Sequence, residues 1–471
     1  MNYFISIGGS GAKVLESVIH LCAMGIMPAG ELKIFIIDPD KKNGNLSRTQ
    51  DTLNRYRTIQ NFDVENDVPL FKTKVTLMQN GPWSPANQNA TLNEIIQYNN
   101  YKNTAAGKLY QVLYTNKERT TTLNLGFRGH PSIGAATLAI NQGLKNFLKD
   151  IINSANTSDT KVFLAGSVFG GTGAAGLPTI AKIIENAVNQ NNRTNLHIGG
   201  VFILPYFQFT PEENVADNFF ARSENFLTNT KAALKYYSQK DNLFESMYFV
   251  GDQISKEENF GIGDSAQNNS AHIVDFYAAL AAADFFHNNI TDPFNKIHHE
   301  KNTEFNWADF PNASENVKLK EIFVSFSKFI FAYTYLIKPN LAGLVAGNIT
   351  DEHNWYKFRL QNANDLRNKD FEKYADSFMK WLSQLETIPN KEIKLIQKTA
   401  FSINPSGVNP DFFNKCSFTE DYLTMDAVSN AINEVSLKER AKSWFGGEPE
   451  PAPRFGKFLY RLYNACKVST T

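Results

Sequence analysis

Cysteine is nearly missing from this chain of 471 residues: Cys22, Cys416 and Cys466 stand far apart, in neither a disulfide framework nor a metal-ligand spacing. Thiols used this sparingly suit a reducing compartment, and a cytoplasmic location is expected. Surplus charge of either sign is missing too, since Lys plus Arg and Asp plus Glu both number 47. No global field therefore draws the chain to nucleic acid or to an anionic membrane, and any anion it binds must be met locally. Long apolar runs are absent. The longest, residues 322–337, contains Ser325 and Lys328 and falls short of the roughly 20 residues a spanning helix needs, so it reads as a buried helix and no transmembrane segment is expected. The first residues, Met1, Asn2, Tyr3, Phe4 and Ile5, carry neither a basic n-region nor a small-residue cleavage site, and no leader is expected. No nucleophile–base pair stands out, and no metal site built by the protein is expected.

What is there is an ordinary globular composition, 42% hydrophobic and 13% aromatic, in a chain long enough for two or three domains, because single cores stop growing at roughly 250–300 residues. Over the first 290 residues short β-rich runs alternate with apolar-periodic segments. The runs at 3–7, 32–37, 161–165, 197–204 and 247–250 are predicted strands, and the segments at 13–24, 135–152, 179–188, 216–237 and 271–286 predicted helices. That alternation is how a doubly wound, mostly parallel α/β sheet reads in sequence. After about residue 315 the pattern shifts to long helical runs, 317–337 and 365–385, and we expect a nucleotide-binding domain over 1–290 and a helix-rich second domain over 291–445. The remainder, 446–471, is a linker rich in Gly and Pro and then an amphipathic tail around Phe455, Phe458, Leu459, Leu462 and Tyr463. That tail suits a docked helix or a detachable partner-binding or membrane-surface segment.

Two glycine loops carry the chemistry. The first strand ends in Gly8-Gly9-Ser10-Gly11-Ala12 and a helix follows, so backbone N–H groups at the helix start can face an anion with no Cβ in the way. A dinucleotide fingerprint would need a third glycine, which Val14 denies, although Asp38 after the second strand could take a ribose hydroxyl. The strand at 161–165 leads into Gly166-Ser167-Val168-Phe169-Gly170-Gly171-Thr172-Gly173-Ala174-Ala175-Gly176 and another helix. Leu177 and Pro178 stand where a P-loop needs Lys and Ser or Thr, so that motif is excluded. In a parallel sheet both loops lie at the carboxyl edge, where two of them can hold one polyphosphate from opposite sides.

Phe169-Gly170-Gly171-Thr172-Gly173-Ala174-Ala175 resembles the Gly-Gly-Gly-Thr-Gly-(Ser/Thr)-Gly loop of the tubulin/FtsZ superfamily, with Phe169, Ala174 and Ala175 as departures. Gly8-Gly9-Ser10-Gly11-Ala12 is similar to that family's first glycine loop, and Asp38-Pro39-Asp40 to its acidic loop. Gly126-Phe127-Arg128-Gly129-His130-Pro131-Ser132-Ile133-Gly134 resembles the loop that approaches the terminal phosphate, where Arg128 is a cationic contact or a solvated turn residue. Leu204-Pro205-Tyr206-Phe207 looks like the loop near the ribose, and Asn269 and His272 precede a helix placed like the one whose start reads guanine, unless Asn269 or Ser270 merely caps it. The resemblance implies a prokaryotic tubulin-like protein that binds GTP or GDP with Mg²⁺ and assembles with copies of itself into filaments of the cytoskeleton. It implies slow GTP hydrolysis completed across the subunit contact by an acid after the central helix: Asp309 or Glu304, with Asp292 a further candidate, each alternatively a solvated surface group. A non-polymerising nucleotide sensor that regulates a protein partner, and an NAD-type dinucleotide enzyme, are the alternatives.

Overall fold

The computed structural model describes residues 1–60, 70–79, 81–84, 90–140, 142–209, 222–239, 243–252, 256–257, 264–287, 296–297, 319–338, 366–385, 403–404, 407–408, 459–460, 462–464 and 466–467. Its core is one sheet built from β1 (Asn2–Ile7), β2 (Gly30–Ile37), β3 (Thr73–Leu77), β4 (Thr160–Ser167), β5 (Leu196–Ile203), β6 (Ser246–Val250) and β7 (Lys296–Ile297). Their order across the sheet is β3-β2-β1-β4-β5-β6-β7. The pairings β1–β2, β1–β4, β4–β5, β5–β6 and β6–β7 are all parallel, with Ile5 opposite Phe35 on one side and Leu164 on the other. Parallel neighbours need crossovers, and helices supply them. Burial on both faces explains why β1, β4 and β5 are nearly continuous apolar runs rather than alternating ones.

Alternation along the strands sorts the two layers. Tyr3, Ile5, Ile7, Val162 and Leu164 face a core shared with α4 (Gly171–Ala187) and the helices Gln142–Phe147 and Lys149–Ala155. Phe4 and Phe163 point the other way, stacked at 6.1 Å, and Phe163 meets Phe285 of α6 (Ile273–His287) at 5.4 Å. Every position of α6 from Ile273 to Phe286 is buried; it is apolar on all sides save Asp275 and Asp284, and Asp284 accepts the Tyr248 hydroxyl at 2.7 Å. Its close approach depends on Gly199, where a Cβ would stand 2.4 Å from the Phe285 ring. The expected doubly wound α/β architecture is thus present, and helix-rich segments follow it.

Five predicted strands and the helices following β1, β4 and β6 lie where the sequence places them, with ends that coincide or shift by up to eight residues. The expected helix at 135–152 is described in the segments α3 (Pro131–Ile140), Gln142–Phe147 and Lys149–Ala155. Leu148, at φ −85° and ψ 4°, interrupts the last two. Strand β3 and helix α2 (Gly44–Ile59) had not been anticipated. Of the region expected to be helical at 216–237, the described part is α5 (Glu224–Ser238).

Chain contacts divide the protein into two compact units, the first comprising Met1–Val18, Glu31–Asp51 and Val75–Glu300, the second Ile19–Gly30, Thr52–Lys74 and Lys301–Thr471. In the second unit, α7 (Leu319–Ala332) and α8 (Leu366–Leu385) present aromatic stripes. Phe371, Tyr374, Phe378 and Trp381 recur at helical spacing and are fully buried, and the His20 ring lies 5.7, 5.3 and 4.6 Å from the last three. Burial pushes His20 down to about 3, so it is neutral, with Nδ1 in contact with Tyr374 Oη at 3.1 Å. Cys22 and Cys466 are free thiols buried in this unit; burial raises both, Cys466 to about 12. No helix among the described residues is long and apolar enough to cross a membrane.

Candidate functional site

Strands β1 and β4 are neighbours, yet the chain leaves β1 toward β2 on one side and returns to β4 on the other. That is the switch point of the sheet, where a crevice opens beyond the carboxyl ends of the strands. Both strands end there in glycine-rich turns. Gly8 adopts φ +69°, and a Cβ on it would lie 3.1 Å from Thr172 Cβ, so the two glycine loops touch. Gly173 lets the second loop close on itself, since a Cβ there would stand 2.4 Å from the Ser167 carbonyl oxygen. Gly170 is the N-cap of α4 and offers no side chain, so the first N–H groups of a 17-residue helix have no cap among the described side chains. A third loop joins them: Gly126, Arg128 and Gly129 all have positive φ, and a Cβ on Gly171 would meet Gly129 N at 3.1 Å.

The resulting cleft is walled by the three loops, by Asp38, Asp40, Asn43 and Asn45 after β2, by Tyr206, Phe207 and Phe209 after β5, and by Gln267 and Asn269 before α6. Lys13, from α1 (Gly8–Met24), also lines it: its side chain is 3% exposed, and its ammonium lies 3.0 Å from Asp275 Oδ2 and donates to Tyr206 Oη at 2.8 Å. Tyr206 donates in turn to Asp275 Oδ1 at 3.1 Å, and the His272 N–H caps Oδ2 at 2.9 Å. A buried lysine keeps its charge when a carboxylate matches it in this way. Asp38 has no such partner. Its Oδ1 accepts the Asp40 N–H at 3.0 Å, but Oδ2 is buried and unpartnered. Burial pushes its carboxyl up to about 8; the Asp40 N–H opposes that rise and the Asp40 charge adds to it.

No protein-family model and no curated protein matches the chain. Among solved structures it is similar to CetZ2 from Haloferax volcanii, described as a GTPgS-bound protofilament, at 12% identity and a TM-score of 0.29, with 60% of this chain and 57% of that one covered. It is also similar to CetZ from Methanosaeta thermophila strain DSM 6194, at 16% identity and a TM-score of 0.27, covering 59% and 52%. The chain thus spans little more than half the length of either protein.

Of the residues singled out in the sequence, Gly8, Gly9, Ser10, Asp38, Asp40, Gly129, Gly170, Gly171, Thr172, Gly173 and Asn269 line the cleft. Others lie behind it. Gly11 packs α1 onto β4, where a Cβ would meet the Ala165 carbonyl at 2.5 Å, and Ala12 is buried. Ala174 does not reach the lining. His130 points away, its Nδ1 3.3 Å from Glu118; burial lowers its basicity more than Glu118 restores it, so the contact is a hydrogen bond of a neutral ring. His272 is buried, its ring tilted against that of Tyr206 at 4.7 Å, and its Nδ1 accepts the Val274 N–H at 3.2 Å. It serves the start of α6 rather than the cleft wall. Asp292, Glu304 and Asp309 lie outside the described residues.

Sequence reasoning passed over Lys13, Asn43, Asn45 and Gln267. A signal existed for the first, because Lys13 and Glu16 are charged positions inside an otherwise apolar helix, and both are buried. Chemically the cleft offers backbone N–H groups, two cations (Lys13 and Arg128) and a rim of amides, a set that binds an anionic, hydrogen-bonding ligand.

Proposed function

We propose that the cleft binds a nucleoside triphosphate, GTP, with its phosphates held between the two glycine loops. The contact between Gly8 and Thr172 carries this reading, because it brings two helix starts, that of α4 without a side-chain cap, to bear on one small volume, more than a single-loop dinucleotide site supplies. Mg²⁺ would arrive with the nucleotide; among the described residues no group of three or more His, Cys, Asp or Glu could hold a metal. The N–H groups, the helix ends, the Thr172 hydroxyl, Lys13 and Arg128 would share the phosphate charge. The resemblance to tubulin-like proteins extends the proposal to head-to-tail self-assembly and slow hydrolysis at the contact between copies.

Calorimetric titration of nucleotide-stripped protein with GTP, ATP and NAD, repeated on Gly171→Ala/Thr172→Ala, tests the binding step. GTP binding that the double variant loses is the expected outcome. The unpartnered Asp38 oxygen at the end of β2 favours a second reading, in which it takes a ribose hydroxyl of a dinucleotide. NAD binding without GTP binding would install that reading in place of the first.

A further inference from the structure

The helix Ala105–Leu113 turns its apolar side away from the protein. At roughly 100° per residue, Ala105, Ala106, Leu109, Val112 and Leu113 fall within an arc of about 120°, and each of them is exposed. Val112, Leu113 and Leu109, at 83%, 64% and 58%, are the most exposed large hydrophobic side chains among the described residues. The helix rests on the protein through the opposite side, where Gly107 and Tyr110 are buried. A surface helix ordinarily lays its apolar stripe on the core; this one shows that stripe to solvent.

The helix is seated firmly, so the exposure is built in. Thr104 Oγ1 accepts the Gly107 N–H at 3.3 Å, and a Cβ on Gly107 would collide with the Tyr101 carbonyl oxygen. Tyr110 packs with Leu92, Leu123, Phe127 and Ile133, and donates to Asn93 Oδ1 at 3.1 Å. The charge around the helix is of one sign. No acidic residue stands between Glu94 and Glu118, whereas Lys102, Lys108 and Lys117 are all exposed, in a chain whose overall charge is balanced. Lys108 borders the apolar arc on the Val112 side.

These residue types favour one kind of partner. Protein–protein contacts are poor in Lys and Ala, the types that flank and open this arc. Aliphatic side chains edged by lysine are how a helix settles into the headgroup layer of an anionic bilayer. We propose that Ala105–Leu113 is a membrane-surface anchor, with Leu109, Val112 and Leu113 entering the headgroup region while Lys102, Lys108 and Lys117 meet anionic lipid. Nine residues are far too few to span, so the helix lies in the plane of the surface. The inference uses no residue of the cleft and stands apart from the nucleotide reading.

Flotation of the nucleotide-free, full-length protein tests it, because vesicles carry bound protein upward while any filaments sink. Vesicles of phosphatidylcholine alone would be compared with vesicles containing about 30% phosphatidylserine. Wild type should float with the anionic vesicles at a lipid concentration at least roughly tenfold lower than with the neutral ones. Leu109→Gln/Val112→Gln/Leu113→Gln should raise the lipid needed by more than about tenfold, and Lys102→Gln/Lys108→Gln by roughly twentyfold, with melting temperatures unchanged at these exposed positions. Wild type that stays down with anionic vesicles, or a triple variant that floats as wild type does, overturns the anchor. Equal flotation with both vesicles overturns the role of the lysines. A self-association of the lipid-free wild type that the triple variant loses in sedimentation velocity would make the face a contact between copies, and the proposal falls.

Discussion

Asp38 sits at the end of β2 with one oxygen unpartnered and its carboxyl raised to about 8 by burial. A carboxyl raised on folding makes the native state bind a proton that the unfolded chain has released, so the ligand-free protein loses stability as pH climbs from about 4 to about 8 and no further beyond that. Asp38→Asn removes the penalty. Thermal melts of the variant should run above wild type at pH 8, on the order of a few kcal/mol in stability, and converge on it near pH 4; parallel curves across that range would refute the assignment. The same residue shows what a sequence discloses about a site. Asp38 and the glycines stand at strand ends, where local grammar marks them, whereas Asn43, Asn45 and Gln267 matter only through contacts across 224 residues, as from Asn43 to Gln267. Nothing local distinguishes such an asparagine from one in any polar turn.

At the scale of elements, the parallel strands were legible because burial on both faces makes them unbroken apolar runs. Strand β3 was not, being five residues long with a Lys and two Thr, and α2 was not, because Thr49 and Thr52 are buried among its few apolar residues. The glycines that join strand to helix make a sharp prediction: Gly173→Ala should cost about 1–3 kcal/mol in denaturant melts and abolish ligand binding, because the clash is with Ser167 backbone and not with a yielding side chain. A variant as stable and as active as wild type would mean that the loop is looser than described. At the opposite edge of the sheet, His197 joins strand starts, with Nε2 2.9 Å from Asp159 and Nδ1 2.8 Å from Glu245. Two carboxylates need both nitrogens protonated, and the hydrogen bond to Glu245 chiefly raises this histidine, with burial opposing. Its contribution is complete below the unfolded value of about 6.5 and is lost as pH rises through the folded one. His197→Gln should flatten the fall in melting temperature over that window.

For the whole molecule, the proposal of assembly predicts a coupling between concentration and turnover. If hydrolysis is completed by a second copy, phosphate release per protein should rise with protein concentration alongside the pelleted fraction. Asp309→Asn and Glu304→Gln should then keep GTP affinity while at least one of them lowers turnover in the pellet; turnover independent of concentration would argue for a self-sufficient site. The second unit offers a readout of its own. Cys22 and Cys466 have no exposed surface and thiols held protonated, so a maleimide dye should leave both unlabelled in the native state and modify them only when that unit opens. Mass spectrometry after timed labelling thus turns two inert sulfur atoms into a stopwatch for the loosening of the aromatic core, readable without touching the cleft.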